Sequence, residues 1–301
     1  MTGILQSVYA NFRIFADIRA IFSYGTNGGP VSTTNLVSNT GVVGADVAGV
    51  GTARQTLAAA GYGKDKAIFG YGYDGTNTLS MTNLVSNTGV VGTDVTGVGT
   101  ARYYLAAAGY GLDKAIFGYG LTGVNVSLTN LVSNTGVVGN NVTGVGTARY
   151  ALAAAGYGTD KAIFGYGFDG GNAAMTNLVS NTGVVGNDVT GVGTARYGLA
   201  AAGYGKDKAI FGYGFYDVFN VSMTNLVSNT GVVGTDVTGV GTARRYIAAA
   251  GYGTDKAIFG YGYDGAFLSM TNLVSNTGVV GNNVTGVGTA RYGAGAASYG
   301  S

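Results

Sequence analysis

The chain contains no cysteine, no histidine, no tryptophan and no glutamate, so all 14 acidic residues are aspartate. Each absence closes a class of function. Without cysteine there is no disulfide and no thiolate nucleophile, and the redox compartment leaves no mark. Without histidine the commonest general base and the commonest transition-metal ligand are both missing, which argues against zinc, haem and copper centres. Charge is also scarce. Only 10% of residues are charged, the net charge is +2, and Lys and Arg are dispersed, with Arg244-Arg245 the one adjacent pair. A basic stripe is lacking, so neither a nucleic-acid partner nor an anionic membrane is expected. No run of about 18 apolar residues occurs, so no membrane insertion is expected. Arg13, Asp17 and Arg19 interrupt residues 1–22, which therefore read as no signal peptide.

What the chain has in quantity is glycine, 57 of 301 residues, and repetition. The string TNLVSNTGVV starts at Thr34, Thr82, Thr129, Thr176, Thr224 and Thr271, at steps of 47 or 48 residues. GTAR keeps the same step, ending at Arg54, Arg102, Arg149, Arg196, Arg244 and Arg291. Such a period marks a repeat architecture, and this much glycine disfavours helix. In the unit that starts at Arg102, residues 104–111 form an apolar run bounded by Gly. Leu112-Asp113 make a turn, and residues 114–120 form a second run, which together read as a hairpin. A third strand is expected near Leu131-Val132 and a fourth near residues 136–138. Four short strands in about 47 residues is the size of a propeller blade. Phe69 and Tyr71 alternate along the second strand, so both are expected on one side of the sheet, as wedges between blades. The Ala triplets suit strands beside a crowded axis.

The ends separate a ring from a solenoid. Residues 291–301 stop partway through a unit, and residues 18–53 supply the remainder; together they make 47 residues, one complete unit. The expected fold is therefore all-β: a six-bladed β-propeller of four-stranded blades, closed by N- and C-terminal segments that share one blade. Closure removes the open edge that invites aggregation. The strand around Ala20-Ile21-Phe22 should pair beside Ala294-Gly295-Ala296. The propeller occupies residues 18–301. Residues 1–17 form an arm outside the repeat, and its apolar Val8, Tyr9, Phe12, Ile14 and Phe15 read as docking on a neighbouring subunit, with an extra edge strand as the alternative.

The six arginines read as structural, donating to backbone carbonyls between blades, since Arg offers five donors in a fixed fork. Capture of anions or sugars is the alternative. The recurrent Asp-Lys pair, as at Asp65-Lys66, reads as turn chemistry. Gly144-Val145-Gly146 lacks the following GKS or GKT and the helix of a phosphate loop. Asp94 and Asp236 offer too few carboxylates for calcium, and Asn141 and Asn283 stand in their place in two copies. No metal and no cofactor are expected, and no asymmetric cluster suited to catalysis is evident, so the reading is not an enzyme. Variation between copies is more informative, because binding evolves in varied loops on a rigid scaffold. The loop after the second strand is longer and aromatic at Phe215, Tyr216 and Phe219, and carries Phe267 in another unit. The positions after the arginine vary as well, with Tyr103 and Tyr104 in one copy. These six aromatics are the candidate ligand-binding residues, suited to stacking on sugar rings or anchoring a protein.

The unit that starts at Arg244 runs through Ile247-Ala248-Ala249-Ala250, Gly260-Tyr261-Gly262, Tyr263-Asp264-Gly265 and Leu273-Val274. In this order of Arg, hydrophobic strand, glycine pair, Asp-bearing loop and third strand it resembles the kelch repeat. It departs in that Tyr splits the glycine pair and Val stands where many kelch units have a late Trp. The near-identical copies resemble kelch-like proteins of tailed bacteriophages, notably marine and cyanobacterial ones. That resemblance implies a non-enzymatic virion component, in a tail, fibre or capsid-associated position, acting in assembly or host attachment. Its partners would be other virion proteins, or further copies through the arm, and a host-surface glycan or protein. The copper site of some kelch-like propellers needs His and Cys, which are absent. The alternative reading is a stand-alone, soluble carbohydrate- or protein-binding propeller, including an engineered repeat protein.

Overall fold

The structure, a computed structural model, describes residues 17–300. Val8, Tyr9, Phe12, Ile14 and Phe15, expected to dock a partner, lie outside the described residues. Among the described residues there is no helix, and so none long and apolar enough to cross a membrane. Strands β1 (Arg19–Ser23) and β2 (Thr34–Val37) begin the order. Then follow β3 (Ala58–Tyr62), β4 (Lys66–Tyr73) and β5 (Thr78–Val85), and β6 (Ala106–Tyr110), β7 (Lys114–Gly118) and β8 (Thr129–Val132). The next are β9 (Ala153–Tyr157), β10 (Lys161–Phe168) and β11 (Asn172–Val179), then β12 (Ala200–Tyr204) and β13 (Lys208–Gly212). A short hairpin, β14 (Phe215–Tyr216) and β15 (Phe219–Asn220), precedes β16 (Thr224–Val227). The order ends with β17 (Ala248–Tyr252), β18 (Lys256–Tyr263), β19 (Phe267–Val274) and β20 (Gly295–Tyr299).

Apart from the β14-β15 hairpin these strands form six three-stranded antiparallel sheets, a β-propeller-like arrangement. Four sheets are built from consecutive strands, the fifth is β12-β13-β16 with the hairpin inserted, and the sixth is β2-β1-β20. Here the two ends of the described chain meet: Phe22 pairs with Ala296 and Ser23 with Gly295, as expected. The Ala-rich inner strands pack on one another in the order β3, β6, β9, β12, β17, β20 and back to β3. They approach closely at glycine. A Cβ on Gly109 would lie 3.2 Å from the Gly61 carbonyl oxygen.

The expected fourth strand is not formed; its place is taken by isolated bridges. Thr129 pairs with Val142 and Val132 with Val138, and every unit repeats the two bridges. Thr129 and Val132 are three positions apart but their partners Val142 and Val138 are four apart, so the register slips by one residue between the bridges and no regular ladder forms. Asn130 also intercepts the returning segment, its Nδ2 donating to the Gly139 carbonyl at 3.0 Å.

Phe69 and Tyr71 face opposite sides of their sheet, not one side. The Tyr71 ring packs on Phe117 of the following sheet (5.1 Å), while Phe69 packs on Tyr24 of the preceding one (5.4 Å). Tyr71 has φ 65°, and the β4–β5 register shifts between Gly70 and Gly72. A left-handed residue at a bulge reverses the alternation that a regular strand would keep. The same Tyr-to-Phe contact joins every sheet to the next, ending with Tyr261 on Phe22. Burial of the ring and a hydrogen bond from Tyr71 Oη to the Val98 carbonyl (3.0 Å) hold this strained conformation.

Candidate binding face at the aromatic end

The six GTAR arginines are fully buried, which removes them as capture groups for a solute. Arg54 Nε donates to the Tyr71 carbonyl (2.9 Å), Nη1 to the Thr52 carbonyl (3.1 Å) and Nη2 to Asn83 Oδ1 (2.6 Å). Its guanidinium lies 4.2 Å from the ring centre of Tyr24 in the preceding sheet. The Tyr71 carbonyl and Asn83 lie in its own unit and Thr52 at the end of the preceding one, so the arginine links two units through a carbonyl as well as through its cation–π contact. Burial pulls the Arg54 pKa down, and Tyr24 and Asp94 oppose this.

Asp94 clasps the neighbouring unit through the Thr52 amide (2.9 Å) and hydroxyl (2.7 Å), and accepts from Asn83 Nδ2 (2.9 Å). Asp46 makes the same clasp on Thr289, joining the first unit to the last. Asn141 and Asn283 clasp Thr100 and Thr242 with their amides. These oxygens are engaged within the protein, and among the described residues no three metal-ligating side chains gather. Partial burial pushes the Asp94 carboxyl up, but hydrogen bonds from Asn83 and Thr52 and the Arg54 charge outweigh it and hold it below the ordinary value. Asp46, Asp188 and Asp236 behave alike. A depressed folded pKa contributes stability above the unfolded carboxylate value of about 3.9, and this is lost as pH falls through the folded pKa. Thermal midpoints should therefore drop steeply below about pH 4. With Asp46, Asp94, Asp188 and Asp236 all changed to Asn, the drop should be shallower and the neutral-pH midpoint lower. An unchanged acid slope would refute the assignment.

The two ends of the inner strands differ. At the hairpin-turn end a cavity of about 340 Å³ opens, lined by all seven lysines of the chain. Aspartates alternate with them: Lys66, Lys161 and Lys256 pair with Asp65, Asp160 and Asp255 at 3.2, 3.0 and 3.8 Å. The acids cancel most of the field, so this mouth is a weak anion attractor.

At the other end six backbone hydrogen bonds run in a circle. Thr56 accepts from Tyr104, which accepts from Ala151; the chain of bonds passes on through Gly198, Tyr246 and Gly293, and Gly293 accepts from Thr56 (2.6–2.9 Å). All six residues have φ between 51° and 65°. Around them stand two sets of positions. Tyr103, Tyr150, Tyr197, Arg245 and Tyr292 follow the arginines, and each bridges to a residue near the end of a second strand or its equivalent: Leu121, Phe168, Phe215, Tyr263 and Thr26. The aromatic side chains form one network with centroid distances of 5.1–6.4 Å. It runs from Tyr73 and Tyr103 through Tyr104, Tyr150, Phe168 and Tyr197 to Phe215, and from Tyr246 to Tyr292 and Phe267. Gln55 and Thr26 lie where it is interrupted. The dimple at the axis, about 90 Å³ beside Tyr104 and Tyr246, is far smaller than the 300 Å³ or so of a small-molecule pocket. Any contact would therefore be made across the surface. Burial pushes the Tyr246 phenol up to about 12, and burial and neighbouring Tyr246 push Tyr104 up as well. Both stay neutral at ordinary pH and can donate hydrogen bonds.

Of the candidate residues, Tyr103, Tyr104, Phe215 and Phe267 enter this network. Tyr216 (44% exposed) and Phe219 (66% exposed) do not; they stand on the β14-β15 hairpin. Sequence reasoning missed Tyr246 and Arg245 as site residues. Tyr246 was open to discovery, since it occupies the same place after Arg244 that Tyr104 occupies after Arg102. No protein-family model matches the chain, and no curated protein matches it in sequence.

Proposed function

We propose that the six sheets are the blades of one closed six-bladed propeller, and that its aromatic end binds the flat face of a sugar ring without catalysing a reaction. The aromatic network, which joins side chains of different units, carries this reading. Half-exposed Tyr and Phe rings offer large apolar area at small entropic cost, with hydroxyls at their rims. The rigid circle of backbone bonds beneath keeps their spacing. The virion setting, with a host-surface glycan as target, rests on the kelch-like and phage-like resemblance; detection of the protein in purified particles tests it.

Neutral cello-, malto- and chito-oligosaccharides, titrated by calorimetry, test the binding. At least one should bind, and Tyr103→Ala and Tyr197→Ala should each weaken it by about tenfold, as loss of one stacking ring implies. No binding by any of them or by an acidic oligosaccharide, or binding unmoved by both substitutions, overturns the proposal. Tyr216→Ala with Phe219→Ala separates the hairpin from the face: sugar affinity should hold, whereas adhesion to a glycan-coated surface would fall if the hairpin is a second contact.

A further inference from the structure

Arg245 breaks the pattern of its position, where four other units carry Tyr and one carries Gln. Its guanidinium lies 4.2 Å from the ring centre of Phe215, 5.5 Å from that of Tyr263 and 5.7 Å from that of Tyr246. The six GTAR arginines each donate to three acceptors, two carbonyls and an Asn Oδ1. Arg245, by contrast, has a buried Nε with no partner among the described residues. No carboxylate pairs with it there either. Asn220, directly opposite Phe215 across the β14-β15 hairpin, has a buried Oδ1 that likewise lacks a partner. Two of the four buried unpartnered polar atoms among the described residues thus belong to Arg245, over the Phe215 ring, and to Asn220, the cross-strand partner of Phe215. The Arg245 Nη groups also donate to nothing among the described residues and, unlike Nε, are not buried, so they are the donors that a solute can reach.

We propose that Arg245, set over Phe215 and between Tyr263 and Tyr246, is the carboxylate-binding subsite of the aromatic face, so that the sugar taken there is a uronic acid. This rests on the sugar-binding reading and narrows it. A guanidinium matches a carboxylate with two parallel N–H donors. The aromatic floor excludes water on one side and strengthens the pairing, and it also offers the neighbouring ring faces on which the pyranose stacks. Among the described residues the face holds one such cation, so one acidic residue of an oligosaccharide is read while its neighbours lie on tyrosine.

Trigalacturonate and its fully methyl-esterified form are the probes, because esterification removes the charge and leaves the rings. The wild-type protein should bind the acid at least tenfold more tightly than the ester, and added NaCl should erode the difference. Arg245→Tyr installs the residue found at the equivalent place in four other units, so it should fold. It should abolish the preference for the acid while ester binding persists. Arg245→Lys should retain part of the preference, since charge remains and the fork is lost. Equal binding of acid and ester by the wild type, or an acid preference that survives in Arg245→Tyr, overturns the inference and leaves sugar binding standing. Failure of acid, ester and neutral oligosaccharides alike overturns both.

Discussion

Arg149→Met is expected to cost about 3–5 kcal/mol of folding stability, the largest effect of any single substitution considered. Arg149 is fully buried, and Met keeps much of its stem volume, so the loss is polar. Its Nε donates to the Tyr166 carbonyl (2.8 Å), Nη1 to the Thr147 carbonyl (3.0 Å) and Nη2 to Asn177 Oδ1 (2.6 Å). Methionine leaves all three acceptors without a donor, at about 1–3 kcal/mol for each buried one. It also removes the guanidinium from the Tyr119 ring, 4.5 Å away in the preceding sheet, and the partner of Asp188 at 3.9 Å. Arg149→Lys should cost about 2–3 kcal/mol, because one ammonium cannot reach three divergent acceptors. Arg102→Met makes the internal control. Asn141 stands where Asp188 stands in the other unit, so no carboxylate is orphaned, and its cost should be smaller. Urea midpoints decide this; a loss under about 1 kcal/mol at Arg149 would mean that water replaces the lost donors.

Ending the chain at Arg291 is expected to abolish the monomer. The deleted residues include β20, which pairs along the whole of β1 and packs on both β3 and β17. They also include Gly293, a member of the backbone circle, and Gly300, whose N–H donates to the Asp65 carbonyl (2.8 Å) at the opposite end. Without them β1 becomes an exposed edge beside two inner strands that have lost a neighbour. Such edges pair with other chains, so soluble oligomers or aggregates should replace the monomer in sedimentation. A synthetic peptide of residues 292–301 added in trans should restore part of the monomer. A truncated chain that stays monomeric with an unchanged urea midpoint would refute ring closure, since an open array loses only one end interface when its last strand is removed.

How much of this was legible in the sequence can be judged residue by residue. The 47- and 48-residue step and the complementary ends predicted the pairing of Phe22 with Ala296, because a repeat count needs no knowledge of side-chain contacts. The arginines were read as structural, but as bridges to carbonyls of neighbouring blades. One such carbonyl, that of the Thr closing the preceding unit, is bonded in each copy, but the arginines also lie on a neighbouring tyrosine, because Tyr71 and its copies sit in the left-handed region. Period-two alternation cannot foresee that reversal, since it assumes an unbroken strand. The buried Asn of TNLV was read only as a strand residue; its role in holding both the arginine and the returning segment depends on three segments meeting. Likewise Tyr104 and Tyr246 lie 142 residues apart, and only the circle of inner strands brings their rings to 5.4 Å.

The amino-acid sequence by itself determined the period, the all-β character, the meeting of the two ends and the lack of histidine and cysteine chemistry, because these follow from composition and spacing. The tertiary structure decided which face carries the aromatic network and which cation stands upon it with no partner among the described residues. Those depend on side chains from different units converging about one axis, which no local pattern of residues encodes.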